Sequence, residues 1–295
     1  MRQMDHLLQQ LSDRDVGILE DVERFRLLTT RQIQRLHFTA GHQTVAAATR
    51  ATTRVLQRLR GHGLISTLTR RVGGVRQGSE SLTWQLAASG DRLLRHLHRR
   101  AYRRRYREPS PDFIKHTLAV ANLGVLLREA EQAGRIELSD IDVEGQAHRA
   151  FVGRHGAKET LKTDLHTVTA GEEYEHHWLI EADRGTEHDP HLARKLTAYQ
   201  RYYKSGRYQA EHGVFPSVLW VVPDDKRAGQ LERLIGSLNA GTSRLFEICT
   251  FDRFIEFVVA KTIGLETISL PGILESVDEQ IGPQPASFIA DMPEM

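Results

Sequence analysis

The chain has 295 residues, 40% hydrophobic and 26% charged, with a mean hydropathy of −0.43, a globular composition with room for two domains of roughly 100 to 200 residues each. No apolar stretch approaches the ~20 residues that cross a bilayer, the opening MRQMDHLLQQ lacks the apolar core of a secretory signal, and the single cysteine, Cys249, can form neither an internal disulfide nor a Cys-rich zinc site; a cytoplasmic location is expected. The net charge of +2 hides a division: residues 1–107 carry 21 Arg, no Lys and 8 acids, a net +13, whereas residues 108–295 carry 19 basic and 30 acidic residues, a net −11, the footprint of a nucleic-acid-binding half joined to a half with another task.

In chain order, Ser12 with Asp13 and Asp15 marks a helix start, the acids lying near the positive end of the helix dipole, and Val16, Leu19, Val22 and Phe25 give it an apolar face. Thr29 and Thr30 open a second helix through Ile33 and Leu36. A third runs from Thr44 to Gly61 and stops at Gly61 and Gly63. Then LISTLTRRV and SLTWQLA, joined by a basic glycine-rich tip (Gly73, Gly74, Arg76, Gly78), read as a β-hairpin. Three helices and a hairpin in that order predict a winged helix-turn-helix.

At 100° per residue, Val45, Ala48, Thr52, Val55, Leu56 and Leu59 of the third helix fall within an arc of about 100°, opposite a row of Arg50, Arg54 and Arg58. The first set should pack and the second should face DNA, where arginine pairs with guanine or holds phosphates. An ordinary solvated face would mix in acids, and none occurs between Gln43 and Gly63. Thr44 at the head of this helix, and Arg70, Arg71 and Arg76 around the hairpin tip, join the predicted DNA-binding set.

The first 108 residues hold no proline, and Pro109 and Pro111 follow directly on the basic run 103–107. The expected division is therefore 1–105, a DNA-binding domain; 106–282, an α/β domain; and 283–295, a loose polar tail. The second domain opens with a helix over 113–133, apolar at Ile114, Leu118, Val120, Leu123, Leu126 and Leu127. Strands follow near 141–152, 161–169 and 174–182, then a helix 191–203, a strand 214–222, a helix 224–238, a strand 245–250 and a short strand near 265–269. This order predicts a central mixed sheet flanked by helices.

Chemistry concentrates at Asp164 and in the run HHWLIEADRGTEHD. Alternation along the strand ending at Ala182 puts Glu181 and Asp183 on one side, and Asp164 arrives from the preceding strand. Three converging carboxylates would offer the hard oxygen ligands that Mg²⁺ or Mn²⁺ prefers. The other reading is a solvated strand end preparing the turn at Gly185, and both stay open on the residues alone. His188, Asp189 and His191 lie in a turn where they would cap the next helix, and Tyr199, Tyr202, Tyr203 and Tyr208 read as packing residues. A rolling-circle relaxase would need a His-x-His pair, whereas His176 and His177 are adjacent and point to opposite faces. No GxxxxGK loop occurs, which argues against an ATP-driven motor.

The segment from Asp164 through Glu181-Ala182-Asp183, in an αβββαβ order, resembles the PD-(D/E)XK nuclease superfamily. The whole chain, with DRDVGILEDVERFRLLTTRQIQRLHF early and EADRGTEHD…ARKLTAYQRYY late, resembles the plasmid replication-relaxation family over about residues 12–255. The resemblance implies an α+β protein, a winged helix followed by a restriction-endonuclease-like domain, acting on double-stranded DNA in plasmid replication or relaxation. It further implies Asp164, Glu181 and Asp183 as metal ligands for Mg²⁺ or Mn²⁺ and as catalytic residues. The nuclease lysine is missing two positions after Glu181; Lys195, four residues before Tyr199 on the next helix, resembles a migrated substitute, while Arg184 points to the other face and transfers protons poorly. The contrasting expectation is a non-catalytic transcription or replication regulator whose second domain dimerises or recruits replication or mobilisation proteins. A two-fold homodimer would suit either role.

Overall fold

The structure is a computed structural model that describes residues 2–68, 82–101, 109–153, 156–172, 174–238 and 240–264. The hairpin tip with Arg70, Arg71 and Arg76, the basic run 103–107, the expected division at 105/106, the expected strand 265–269 and the tail 283–295 lie outside the described residues.

After α1 (Arg2–Gln9), two capping boxes set the next helices. Ser12 caps α2 (Asp13–Phe25) with Asp15 bonding back, and Thr29 caps α3 (Thr30–His37) with Gln32 in the reciprocal role. Thr44 caps α4 (Val45–Gly61). Two-residue β1 (Leu28–Thr29) pairs with β3 (Thr83–Leu86), which pairs with β2 (Ile65–Thr67), so the small antiparallel sheet has three strands where the sequence predicted two. The extra strand forms because Leu28 falls opposite Trp84, between two helices and without a periodicity of its own. Helix α5 (Ala88–Leu97) follows directly, and it approaches so closely that a Cβ on Gly90 would lie 2.2 Å from the Leu64 carbonyl oxygen.

Val45 does not pack with its predicted partners. It is 79% exposed, and residues 43–46 are all exposed, because the first turn of α4 stands beyond the body against which Ala48, Thr52, Leu56 and Leu59 are buried. Val16 is only half-buried, its place in the core taken by Ile18.

Helix α6 (Pro111–Gln132) joins the two halves and is buried nearly all round, touching α2, α3 and β1 on one side and β4, β8 and α11 on the other. Its Gly124 lies against the Phe25 ring, where a Cβ would come within 2.4 Å of a ring carbon. The second half then runs β4 (Glu137–Val143), β5 (Arg149–Val152), β6 (Lys158–Leu161), β7 (Leu165–Ala170), β8 (Glu175–Ala182), α7 (Asp189–Lys204), α8 (Arg207–His212), β9 (Ser217–Val222), α9 (Asp225–Gly236), α10 (Ala240–Ser243), β10 (Phe246–Thr250) and α11 (Phe254–Thr262). The strands expected near 141–152 and 161–169 are each divided, since the chain turns at residues 144–146 and again before Asp164, and β5 and β6 pair as a separate hairpin.

The central mixed sheet has five strands in the order β10-β9-β8-β7-β4, with β8, β9 and β10 parallel and β7 and β4 antiparallel to their neighbours. Alternation assigns its two faces. Trp178, Ile180, Ala182, Leu219 and Val221 join α6, α11 and the N-terminal helices in one continuous core, with Cys249 buried among them. Leu179, Val218, Trp220 and Val222 face α7 and α9 in a second. The protein is thus mixed α+β: N-terminal helices with a small antiparallel sheet, then a central mixed sheet covered by helices.

Candidate functional site

The register of β7 on β8 decides which acids meet. Leu165 pairs with Ile180, which puts Asp164 beside the end of β8 where Glu181 sits. The Thr163 hydroxyl donates to the Ile180 carbonyl at 3.2 Å, the Ala182 N–H donates to Asp164 Oδ2 at 2.9 Å, and the Glu144 N–H donates to the Asp164 carbonyl at 2.8 Å. The Asp164 side chain stays 16% exposed.

Glu181 is 1% exposed and points to the α7 face of the sheet. Lys195 and Tyr199, one turn apart on α7, share the face that meets it. Lys195 Nζ lies 2.9 Å from Glu181 Oε2 and 3.0 Å from Glu187 Oε1, and it sits over the Trp220 ring at 5.6 Å. The buried Tyr199 hydroxyl donates to Glu181 Oε1. The sequence thus placed Tyr199 correctly in the core and missed its polar partner.

Burial raises Glu181 to about 7, against the opposing pull of Lys195 and with a further push from the negative Asp164. Burial works in the same direction on Asp164, yet the hydrogen bond and charge of His116, with Lys195 beyond, hold Asp164 below the ordinary carboxylate range. Burial alone would lower Lys195, but Glu181, Asp164 and Glu187 together raise it, so it is charged at all working pH values. Two neighbouring acids therefore carry different protonation tendencies, one ionised and one poised near neutrality, a pattern enriched at sites where charge does chemical work.

Asp183 does not join them. It faces the same side as Glu181, but its Oδ2 takes the Arg227 Nε–H at 2.7 Å and its Oδ1 takes the Gly185 N–H at 2.7 Å. Arg227 comes from the first turn of α9 and is itself buried. The sequence could not reveal that partner 44 residues away. The expected convergence of three carboxylates is thus a convergence of two, and among the described residues no group of three or more His, Cys, Asp or Glu is placed to hold a metal ion. Asp183 is also not the solvated strand end of the other reading, since it is buried while it fixes the turn at Gly185 (φ 75°). Arg184 is half-buried and turned toward the Asp112 carbonyl. His188 occupies the N-cap of α7 without a capping side-chain bond, and Asp189 bonds Gln230 instead.

His116 was missed by sequence reasoning. It lies on α6, and its Nε2 is 3.0 Å from Asp164 Oδ1. The hydrogen bond to Asp164 raises its pKa, partly opposed by burial. The only sequence signal was a histidine on a helix of otherwise apolar pattern.

In the first half Arg50 and Arg54 are exposed along α4. Arg58, third in the row, is instead ion-paired with Asp15, which is 1% exposed. Thr44 accepts the Ala47 N–H at 3.1 Å and so caps the helix. No helix among the described residues is long and apolar enough to cross a membrane.

A family model described as Replication-relaxation matches residues 19–218. Comparison with curated proteins and with solved structures gives no match.

Proposed function

This chain belongs to the replication-relaxation family, whose match takes in two thirds of it, with His116, Asp164, Glu181, Lys195 and Tyr199 inside the matched span, and from that premise we propose that it is a double-stranded-DNA-binding protein of plasmid replication that nicks its DNA. In this reading α2, α3, α4 and the small sheet form a winged helix that holds the duplex through Arg50 and Arg54, and the second half is a PD-(D/E)XK-like nuclease. The order α6-β4-β7-β8-α7-β9 supports it, being the αβββαβ core interrupted by the β5-β6 hairpin and by the short helix α8. The observation that carries the proposal is the meeting of Asp164, Glu181 and Lys195 from a loop, a strand and a helix, with the amine 2.9 Å from the carboxylate.

The donor set fits Mg²⁺ or Mn²⁺, because such ions need only one or two protein carboxylates and take their remaining ligands from water and substrate phosphate. Asp164 and Glu181 would hold the ion, which would activate water and offset charge on the phosphodiester. Lys195 favours the ionised form of a carboxyl that burial would otherwise neutralise, and it places a fixed positive charge where a phosphate arrives. Tyr199 fixes the rotation of the same carboxyl. Asp183 and Arg227 shape the turn that leads into α7.

The commitment of Asp183 to Arg227 favours a second reading, a regulator whose second half only dimerises or recruits replication proteins. Supercoiled plasmid incubated with the protein and Mn²⁺ separates the two. Nicking by wild type, lost in Asp164→Ala and Glu181→Gln, is expected. Equal nicking by all three proteins, or none by wild type, refutes the catalytic assignment.

A further inference from the structure

We infer that His116 is a positioning residue of this site, orienting the Asp164 carboxylate from α6. The inference rests on the nuclease reading and adds a residue that lies outside the motif behind that reading.

The Asp164 carboxylate is held by donors from two different elements. The Ala182 N–H on β8 takes Oδ2 at 2.9 Å and the His116 Nε2–H on α6 takes Oδ1 at 3.0 Å. One donor leaves a carboxylate free to rotate about its last bond; two fix its plane. Asp164 accepts at that oxygen, so Nε2 carries the proton, which holds for the neutral Nε2–H tautomer and for the imidazolium alike. The role therefore does not depend on which form is present. Helix α6 also grips the backbone of the same residue. The Thr117 hydroxyl, next to His116, donates to Glu144 Oε1 at 3.2 Å, and the Glu144 N–H donates to the Asp164 carbonyl at 2.8 Å. Glu144 takes a left-handed backbone (φ 47°), uncommon without glycine, and ion-pairs with Arg26 at the end of α2. With its side chain 32% exposed, His116 reaches solvent and is not part of the core.

The test compares His116→Ala with His116→Gln, whose amide can donate from a similar reach. Mn²⁺ binding followed by electron paramagnetic resonance should weaken about 10- to 100-fold in His116→Ala, the range for losing a group that orients a metal ligand, and recover largely in His116→Gln. Nicking should lose kcat by a similar factor with KM for plasmid little changed. In the metal-free wild type, imidazole ¹⁵N spectra should show Nε2 protonated, with its signal displaced in Asp164→Asn. That spectrum decides the matter even if His116→Ala fails to fold. Wild-type Mn²⁺ affinity and kcat in His116→Ala, or an Nδ1–H tautomer in the wild type, would overturn the role of His116 while the nuclease reading stands. Absence of both Mn²⁺ binding and nicking in the wild type would overturn both.

Discussion

Replacing Glu181 by glutamine should make the protein more stable and inactive at once. Glu181 is 1% exposed and its carboxyl is raised from 4.5 to about 7 by burial, even with Lys195 beside it. In the unfolded chain the group ionises near 4.5, whereas the fold resists ionisation until about 7. Below 4.5 both states are protonated and the group is neutral toward stability. As pH rises through this window the unfolded state gives up its proton first, so stability falls, reaching its full loss above pH 7. Each pH unit between the two values is worth about 1.4 kcal/mol, so the ionised carboxylate costs about 3 kcal/mol at pH 8. Glutamine mimics the protonated acid and keeps both contacts, its carbonyl accepting from Lys195 and its amide donating to the Tyr199 oxygen. Lys195 still has Glu187 as a charged partner at 3.0 Å. Urea unfolding should therefore show Glu181→Gln more stable than wild type by about 2 to 3 kcal/mol at pH 8, and indistinguishable from it near pH 4.5. Saturating Mn²⁺ should raise the wild-type midpoint and leave the variant unchanged. A variant equal to or less stable than wild type at pH 8 would refute the reasoning, because it would mean that the Lys195 pair outweighs the cost of burial.

Three further outcomes follow from the geometry. Gly124→Ala puts a methyl against the Phe25 ring where α2 crosses α6, and thermal unfolding should show a loss of about 1 to 3 kcal/mol, as for other overpacked cores; Phe25→Leu in the same chain should recover part of it. His176 stacks on Trp178 with ring centroids 4.0 Å apart, and burial lowers it to about 4, so its contribution to stability is lost as pH falls from 6.5 toward 4, opposite in sign to Glu181; in His176→Phe the acid limb of the stability profile should flatten, and an unchanged limb would exclude this histidine as its source. Arg50→Ala with Arg54→Ala should weaken duplex binding and reduce the slope of log K against log salt by about 2, whereas Arg58→Ala should mainly destabilise the fold, by about 1 to 3 kcal/mol, because Asp15 is left buried without its cation. A larger salt effect from Arg58 than from the other two would reverse that division of labour.

Local physics wrote most of the secondary structure into the sequence. The capping residues Ser12, Thr29 and Thr44, the glycine stop after α4 and the apolar runs of β8 and β9 depend on neighbours a few positions apart, and they are legible for that reason, whereas α1, β1, α5, α8 and α10 and the separate β5-β6 hairpin were not read from the sequence. The family was legible as well, since its signature is a string of residues. Features that depend on distant partners were not. Period-two alternation correctly put Glu181 and Asp183 on one face, yet it carries no information about what that face meets. Arg227, 44 residues on, draws Asp183 away, while Lys195 and Tyr199 on α7 take Glu181. The same limit hid His116 from the site, gave Arg58 to Asp15 and left Val45 exposed. A side chain's type and its face are set by the chain around it, but its hydrogen-bond and contact ion-pair partner is set by whichever element the fold brings within about 3 Å.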